Sequence, residues 1–192
     1  MLRFNSSDSD EDLMRCISLG DQRALDLLYD RHNPLMYSVA LRILRTPSEV
    51  EDTIQDAWLQ IWLRAGTYDS SRGCVAAWTL TVARNRAIDR LRSLNARRNA
   101  ETQMRTQGHA EPPTLMEGAA AASLQGELHQ RVCNALGTLT APQRKALELA
   151  YFGGLSQSEI AQALEVPLGT VKSWTRQGLS QLSGLFSREE WV

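Results

Sequence analysis

No stretch of this 192-residue chain approaches the ~20 consecutive apolar residues that a membrane-spanning helix requires. The opening residues, MLRFNSSDSDEDL, are polar and acidic and hold no hydrophobic segment of a secretory leader. A cytoplasmic protein without direct membrane insertion is therefore expected. Cysteine is scarce. Cys16, Cys74 and Cys133 are odd in number and far apart, which argues against a disulfide framework. Histidine is equally scarce, and His32, His109 and His129 lack the clustered spacing of metal ligands. His129 and Cys133 stand one helical turn apart, but two donors do not make a site. No metal and no cofactor are expected. The chain also lacks a Ser/His/Asp set, a Gly-rich loop suited to phosphates and paired acids on a plausible cleft, so it is not expected to be an enzyme.

What is present is helical pattern and uneven charge. A hydrophobic fraction of 43% suits globular helical units rather than disorder. The net charge of −1 conceals its distribution. Residues 1–63 carry eleven acids against six bases, whereas residues 64–108 carry nine arginines against three acids. Residues 109–136 are mildly acidic and residues 137–192 balance to zero. A polyanion would be drawn to the middle of the chain and to little else.

The stretch Ser48–Asn95 reads as two helices joined by a Gly-containing loop. Val50, Ile54, Ala57, Trp58 and Ile61 recur at helical spacing and form an apolar face. Asp52, Gln55 and Asp56 fall on another stripe, and Glu49 and Glu51 lie near the helix start, where negative charge suits the dipole. Ser48 and Glu51 have the spacing of a capping box. The second helix opens near Val75 and carries Arg84, Arg86, Arg90 and Arg92. Its expected core stripe is Ala77, Leu80, Ala87, Leu91 and Leu94. Trp78, Val82, Asn85, Asp89 and Arg92 make a neighbouring stripe, aromatic at one end and polar or charged beyond. Between the helices, residues 65–74 hold Tyr68 and Arg72, which suit either ligand contact or an ordinary connector.

Residues 1–10 are expected to be an acidic disordered tail, and residues 11–95 a first helical domain. Within it Gly20-Asp21 is a break, Asn33-Pro34 interrupts the next segment with Pro34 suited to a first turn, and Thr46-Pro47 ends it. Periodicity fails from Ala96, and residues 96–124 read as a flexible polar linker with room for a short helical start. A linker of that length implies two domains. The second is expected over residues 125–187, followed by a short tail at 188–192. Leu128, Val132, Ala135, Leu136 and Leu139 open it, Thr140 and Gln143 form a capping box, and Gly153-Gly154 ends the next helix.

Ser156 and Glu159 give a further capping box at the head of SQSEIAQALEV, with Ile160, Ala161 and Leu164 inward. A short turn leads to PLGTVKSWTRQGLSQL, in which Val171, Trp174 or Thr175, and Leu179 are expected to return to the core. Two short helices, a tight turn and a small alanine at the close approach describe a helix-turn-helix. Thr170, Lys172, Ser173, Arg176 and Gln177 are the candidate DNA contacts of its second helix. Lys and Arg suit phosphates, and Arg and Gln also suit bidentate contacts to bases. The neutral charge of this part predicts weak binding on its own, because counterion release contributes little.

Taken together, the segments are similar to a known family. SEVEDTIQDAWLQIW resembles region 2 of bacterial sigma-70 factors of the extracytoplasmic-function class, AAWTLTVARNRAIDRLR resembles the adjoining promoter-opening segment, and LSQSEIAQALEVPLGTVKSWTRQGL resembles region 4. The resemblance covers most of residues 11–95 and 125–185, in the family's order. It implies an all-α protein of two small domains that binds core RNA polymerase and directs promoter recognition and opening. Asp52, Gln55 and Asp56 would contact the clamp helices of the largest polymerase subunit. Arg72, Trp78, Asn85, Arg86, Asp89 and Arg92 would lie along the −10 element, with Trp78 fitting either core packing or the melted strand. Aromatic rings and Arg planes hold unstacked bases, and a basic groove follows a single-strand backbone. The helix-turn-helix would read the −35 element, and the body of its domain would hold the polymerase β-flap. Trp174 and Gln177 stand where family members often carry basic residues, so an unusual −35 preference is expected. An anti-sigma partner and a monomeric free state are also implied. Two other readings fit parts of the chain. A sigma mimic that sequesters an anti-sigma protein would not need the arginines, and a helix-turn-helix regulator leaves the acidic helix unexplained.

Overall fold

The computed structural model describes residues 8–103 and 134–185, which form helices, two 3-10 turns and no strand among the described residues. The chain divides into two compact units, Met1–Gln107 and Gly108–Val192.

In the first unit, α1 (Asp10–Ser18), α2 (Gln22–Leu44), α3 (Pro47–Arg64) and α4 (Val75–Gln103) form a bundle in which α2, α3 and α4 pack on one another pairwise and α1 lies across α2. Ser9 caps α1 by accepting from the Asp12 amide at 3.2 Å, and Asp10, Glu11 and Asp12 place negative charge in its first turn. The helix opens at Asp10, within the expected tail; residues 1–7 lie outside the described residues. Asp10 ties this end to α2: its Oδ1 accepts from Arg31 at 2.7 Å, and its Oδ2 lies 2.6 Å from His32 Nε2.

Contrary to the expected interruption, α2 runs through Pro34. Pro34 is exposed, and Leu28, Met36 and Ala40 on either side are fully buried. Tertiary packing on both sides of the proline outweighs the amide hydrogen bond it removes. Arg45 then ends the helix with a φ of 61°, its amide donating to the Leu41 carbonyl at 2.9 Å. The Ser48–Glu51 capping box does not form, because α3 begins earlier, with Thr46 at the cap and Pro47 in the first turn.

Trp58 packs in the core as expected. It is 5% exposed, its Nε1 donates to Asn33 Oδ1 at 3.1 Å, and its ring centroid lies 5.1 Å from that of Tyr29. The core stripe of α4 differs in phase from expectation. Val75, Thr79, Ala83, Ala87 and Ile88 are buried, Leu80, Leu91 and Leu94 are half-buried, and Ala77 is exposed. Small residues line the seam because α4 packs against both α2 and α3, and a small side chain lets backbones approach. The helix also runs on past Asn95 to Gln103. The expected flexible tether beyond it, the helix opening near Leu128, Cys133 and the terminal tail lie outside the described residues.

The second unit contains a helical turn at residues 134–138, then α5 (Ala141–Tyr151), α6 (Gln157–Ala163) and α7 (Leu168–Leu185). The capping boxes expected here form. Gln143 Oε1 accepts from the Thr140 amide at 3.1 Å, Glu159 Oε2 from the Ser156 amide at 2.7 Å, and Ser156 Oγ from the Glu159 amide at 3.3 Å. Gly153 is required at the end of α5, where a Cβ would stand 2.6 Å from the Leu149 carbonyl oxygen. Ala146, Leu149, Ile160, Ala161 and Val171 make the core, with Leu164, Val166 and Trp174 packed on it. Thr175 is buried and satisfies its hydroxyl on the Val171 carbonyl at 2.9 Å. Leu179, expected inward, is 57% exposed. Gly178 takes the inward place, close against Leu147, Gln143 and Leu139.

Candidate functional site

Three surfaces carry the residues singled out by the sequence. On α3, Asp52, Gln55 and Asp56 are all exposed, held outward because Val50, Thr53, Ile54, Ala57 and Trp58 are committed to the core. The same stripe continues into Leu59 and Leu63, which are 57% and 71% exposed. Sequence reading passed over both leucines. The signal was available, since residues 52, 55, 56, 59 and 63 share one helical face.

Behind that stripe, Glu49 pairs with Arg90 of α4. The Glu49 hydrogen bond, then its charge, with smaller contributions from Asp52 and Asp56, hold the Arg90 guanidinium even more firmly protonated than usual. Arg90 is thus engaged within the protein, although it counts toward the basic excess of the sequence.

The second surface is the loop before α4 and the outward side of that helix. The loop is ordered by its own contacts: Asp69 Oδ1 accepts from the Ser71 amide at 3.0 Å and its hydroxyl at 2.7 Å, and those bonds lower the Asp69 pKa. Arg72 is exposed on the second 3-10 turn, Ser70–Arg72. Gly73 follows with a φ of 144°, a conformation that favours glycine. Tyr68 spans the loop, donating its hydroxyl to the Gly73 carbonyl at 3.0 Å and meeting Trp78 edge-on at 5.9 Å. Burial first, then Glu11 and other neighbours, raises the Tyr68 pKa, which keeps the phenol a donor. Trp78 is half-buried, with its ring against that of Tyr68. Asn85, Asp89 and Arg92 are exposed along α4 beyond it, with Arg97 and Arg98 exposed further on. Arg86 differs from these. It is half-buried, and its Nε is enclosed without a hydrogen-bond partner.

The third surface is α7. Lys172, Arg176 and Gln177 are exposed, while Thr170 and Ser173 are half-buried. Gln177 is drawn sideways, its Oε1 accepting from Gln143 Nε2 at 3.2 Å. Glu165 makes the turn before α7 with a φ of 54°, and the Pro167 carbonyl accepts from the amides of Thr170 and Val171 at 2.9 and 3.3 Å.

Residues 28–98 match the model of sigma-70 region 2, and residues 129–182 that of sigma-70, region 4. The ECF RNA polymerase sigma factor SigK of Mycobacterium sp. (strain JLS) is 36% identical over 94% of this chain and 92% of its own length. SigK of Mycobacterium ulcerans (strain Agy99) is 35% identical over 92% of each. Among solved structures the chain is similar to Rhodobacter sphaeroides SigE, in complex with the anti-sigma ChrR, at 29% identity and a TM-score of 0.46 over 95% of this chain and 100% of that one. With both sigma regions matched in order and identity above a third across nearly the full length of a relative, the chain belongs to the sigma-70 family of RNA polymerase sigma factors, in its extracytoplasmic-function class.

Proposed function

We propose that the three surfaces divide the work of a promoter-directing sigma factor among them. Core RNA polymerase docks its clamp helices on the exposed stripe of α3, where Asp52, Gln55 and Asp56 supply charge and Leu59 and Leu63 supply apolar area. The loop carrying Arg72, with Trp78, Asn85, Arg86, Asp89 and Arg92 of α4, holds the opened −10 element. Thr170, Lys172, Ser173, Arg176 and Gln177 of α7 meet the −35 element, and the body of the second unit takes the β-flap. The observation that supports this best is the α3 stripe, an acidic row ending in two exposed leucines in the same unit as the exposed arginines of α4. Charged groups at such a surface set partner choice and encounter rate, and a central apolar patch supplies affinity.

The chemistry of opening suits the second surface. Unstacking a base costs a few kcal/mol, and an accessible aromatic ring is worth about 1–3 kcal/mol per stacked base. The factor makes no bond itself; it works in the cytoplasm as a monomer until it meets polymerase, and an anti-sigma partner is proposed on class membership alone. No helix among the described residues is long and apolar enough to cross a membrane.

Run-off transcription with core polymerase and fragmented genomic DNA, with and without this chain, tests the reading. Discrete new transcripts are expected. If none arise and the chain instead retains a single protein partner, it acts as a sigma mimic and the proposal fails.

A further inference from the structure

The second unit must select DNA with little help from net charge. Residues 137–192 are electrically balanced, so release of counterions contributes little and base contacts have to supply the discrimination. In a helix-turn-helix it is the N-terminal residues of the second helix that reach base edges. Here that end reads Leu168, Gly169, Thr170. Thr170 and Ser173 are half-buried, and Gln177 is held by Gln143.

Leu168 is unlike its neighbours. It is the first residue of α7 and is 38% exposed, although large and apolar. At i, i+4 and i+8 it shares a stripe with Lys172 and Arg176, both exposed. Successive members of that stripe lie about 6 Å apart along the axis. A Cβ at the adjacent Gly169 would meet nothing within 4 Å, so this end of the helix has an open, thin flank that lets a ligand approach the backbone. The stripe therefore presents one apolar group at the helix tip, then two cations.

A single exposed leucine is ordinary on a protein surface. The placement of this one narrows what it meets. The two cations on its stripe call for a polyanion, and the only apolar group that duplex DNA displays in its major groove is the C5-methyl of thymine. We infer that Leu168 is a specificity-determining residue that reads the methyl group of one thymine, or of two adjacent ones, in the upstream promoter element. This inference rests on the proposed reading of α7 as the −35 contact and adds to it a residue and the chemical group it recognises. Lys172 and Arg176 position the helix on the phosphates or meet flanking bases, and Leu168 rejects positions that lack the methyl.

The test removes the methyl and nothing else. A promoter obtained from the run-off experiment is prepared with each upstream-element thymine replaced in turn by deoxyuridine. Binding of holoenzyme carrying the full chain, wild type or Leu168→Ala, is then measured. The wild type is expected to lose about fourfold in affinity at one or two positions, the factor that corresponds to one buried methyl group. Leu168→Ala is expected to bind the thymine promoter more weakly and to show no difference between thymine and deoxyuridine at those positions, with an unchanged melting temperature. A wild type insensitive to every replacement overturns the inference, as does a Leu168→Ala protein that keeps the wild-type sensitivity. A wild-type holoenzyme that selects no promoter overturns the −35 reading of α7, and the inference with it.

Discussion

Glu165 is a non-glycine residue with a left-handed backbone at the corner that sets α6 against α7. A Cβ in that region costs roughly 1–2 kcal/mol, and glycine returns part of the difference as lost chain entropy. Glu165→Gly is therefore expected to stabilise the second unit by about 0.5–1 kcal/mol and to raise its calorimetric transition by a few degrees; a lowered transition would show that the Glu165 side chain stabilises the turn. Asp10 offers a test of opposite sign at the other end of the chain. The hydrogen bond from His32 lowers its pKa most, burial opposes it, and Arg31 lowers it further. A folded-state value below the unfolded one means that the unfolded chain takes up the proton first as pH falls. The stabilisation is thus complete above the ordinary carboxylate range and is lost as pH falls through the folded value. Wild type is expected to exceed Asp10→Asn by about 1 kcal/mol near neutrality, a figure reduced for partial exposure. The gap should narrow as pH falls below the ordinary carboxylate range and close once Asp10 is protonated in the folded protein too. Chemical denaturation at several pH values measures it, and a gap that is constant with pH would remove Asp10 as its source.

At the scale of helices, the sequence was most legible where one local rule acted alone. Ser156 and Glu159 cap α6 because nothing upstream competes for that start. At Ser48 the same spacing failed, since Pro47 already fits a first turn and moved the cap to Thr46. In α4, bulky Leu80, Leu91 and Leu94 drew the expected core face toward themselves, whereas a helix wedged between two others buries Thr79, Ala83 and Ile88 beside the expected Ala87. That preference belongs to the packing of three helices and is not visible in one. Leu179 misled for the same reason, because close approach to Leu147 selects Gly178 for the inward place. The surface of α3 was half legible: the acids were evident, but Leu59 and Leu63, exposed on the same face, were not singled out. Since Asp52 and Asp56 are exposed, Asp52→Lys with Asp56→Lys should leave the fold intact and weaken core polymerase binding by tenfold or more, as like charge at a complementary interface costs several kcal/mol. Fluorescence titration against core polymerase checks it. Wild-type affinity in the double variant would remove α3 from the docking surface.

Across the whole molecule, the charges that face outward are not the charges the sequence counts. The middle of the chain is its basic part, yet Arg90 is engaged with Glu49 and Arg86 is half-buried, while Arg92, Arg97 and Arg98 are exposed. The second unit offers Lys172 and Arg176 on α7. DNA contact by the factor should therefore depend on salt mainly through α4. Each phosphate neutralised contributes a slope of about −0.9 in log affinity against log salt on duplex and about −0.7 on single strands. Core polymerase adds phosphate contacts of its own, but these cancel when a variant holoenzyme is compared with wild type. Replacing Arg92, Arg97 and Arg98 together by alanine is expected to flatten the slope by about two on a promoter that opens. Lys172→Ala should flatten it by about one, on opened and closed promoters alike, because the −35 element stays duplex. The contrast between the two variants is the informative quantity. If the triple arginine variant flattened the slope no more than Lys172→Ala does, the exposed side of α4 would not lie along the DNA backbone, and the basic excess at the centre of the chain would have to act on another partner.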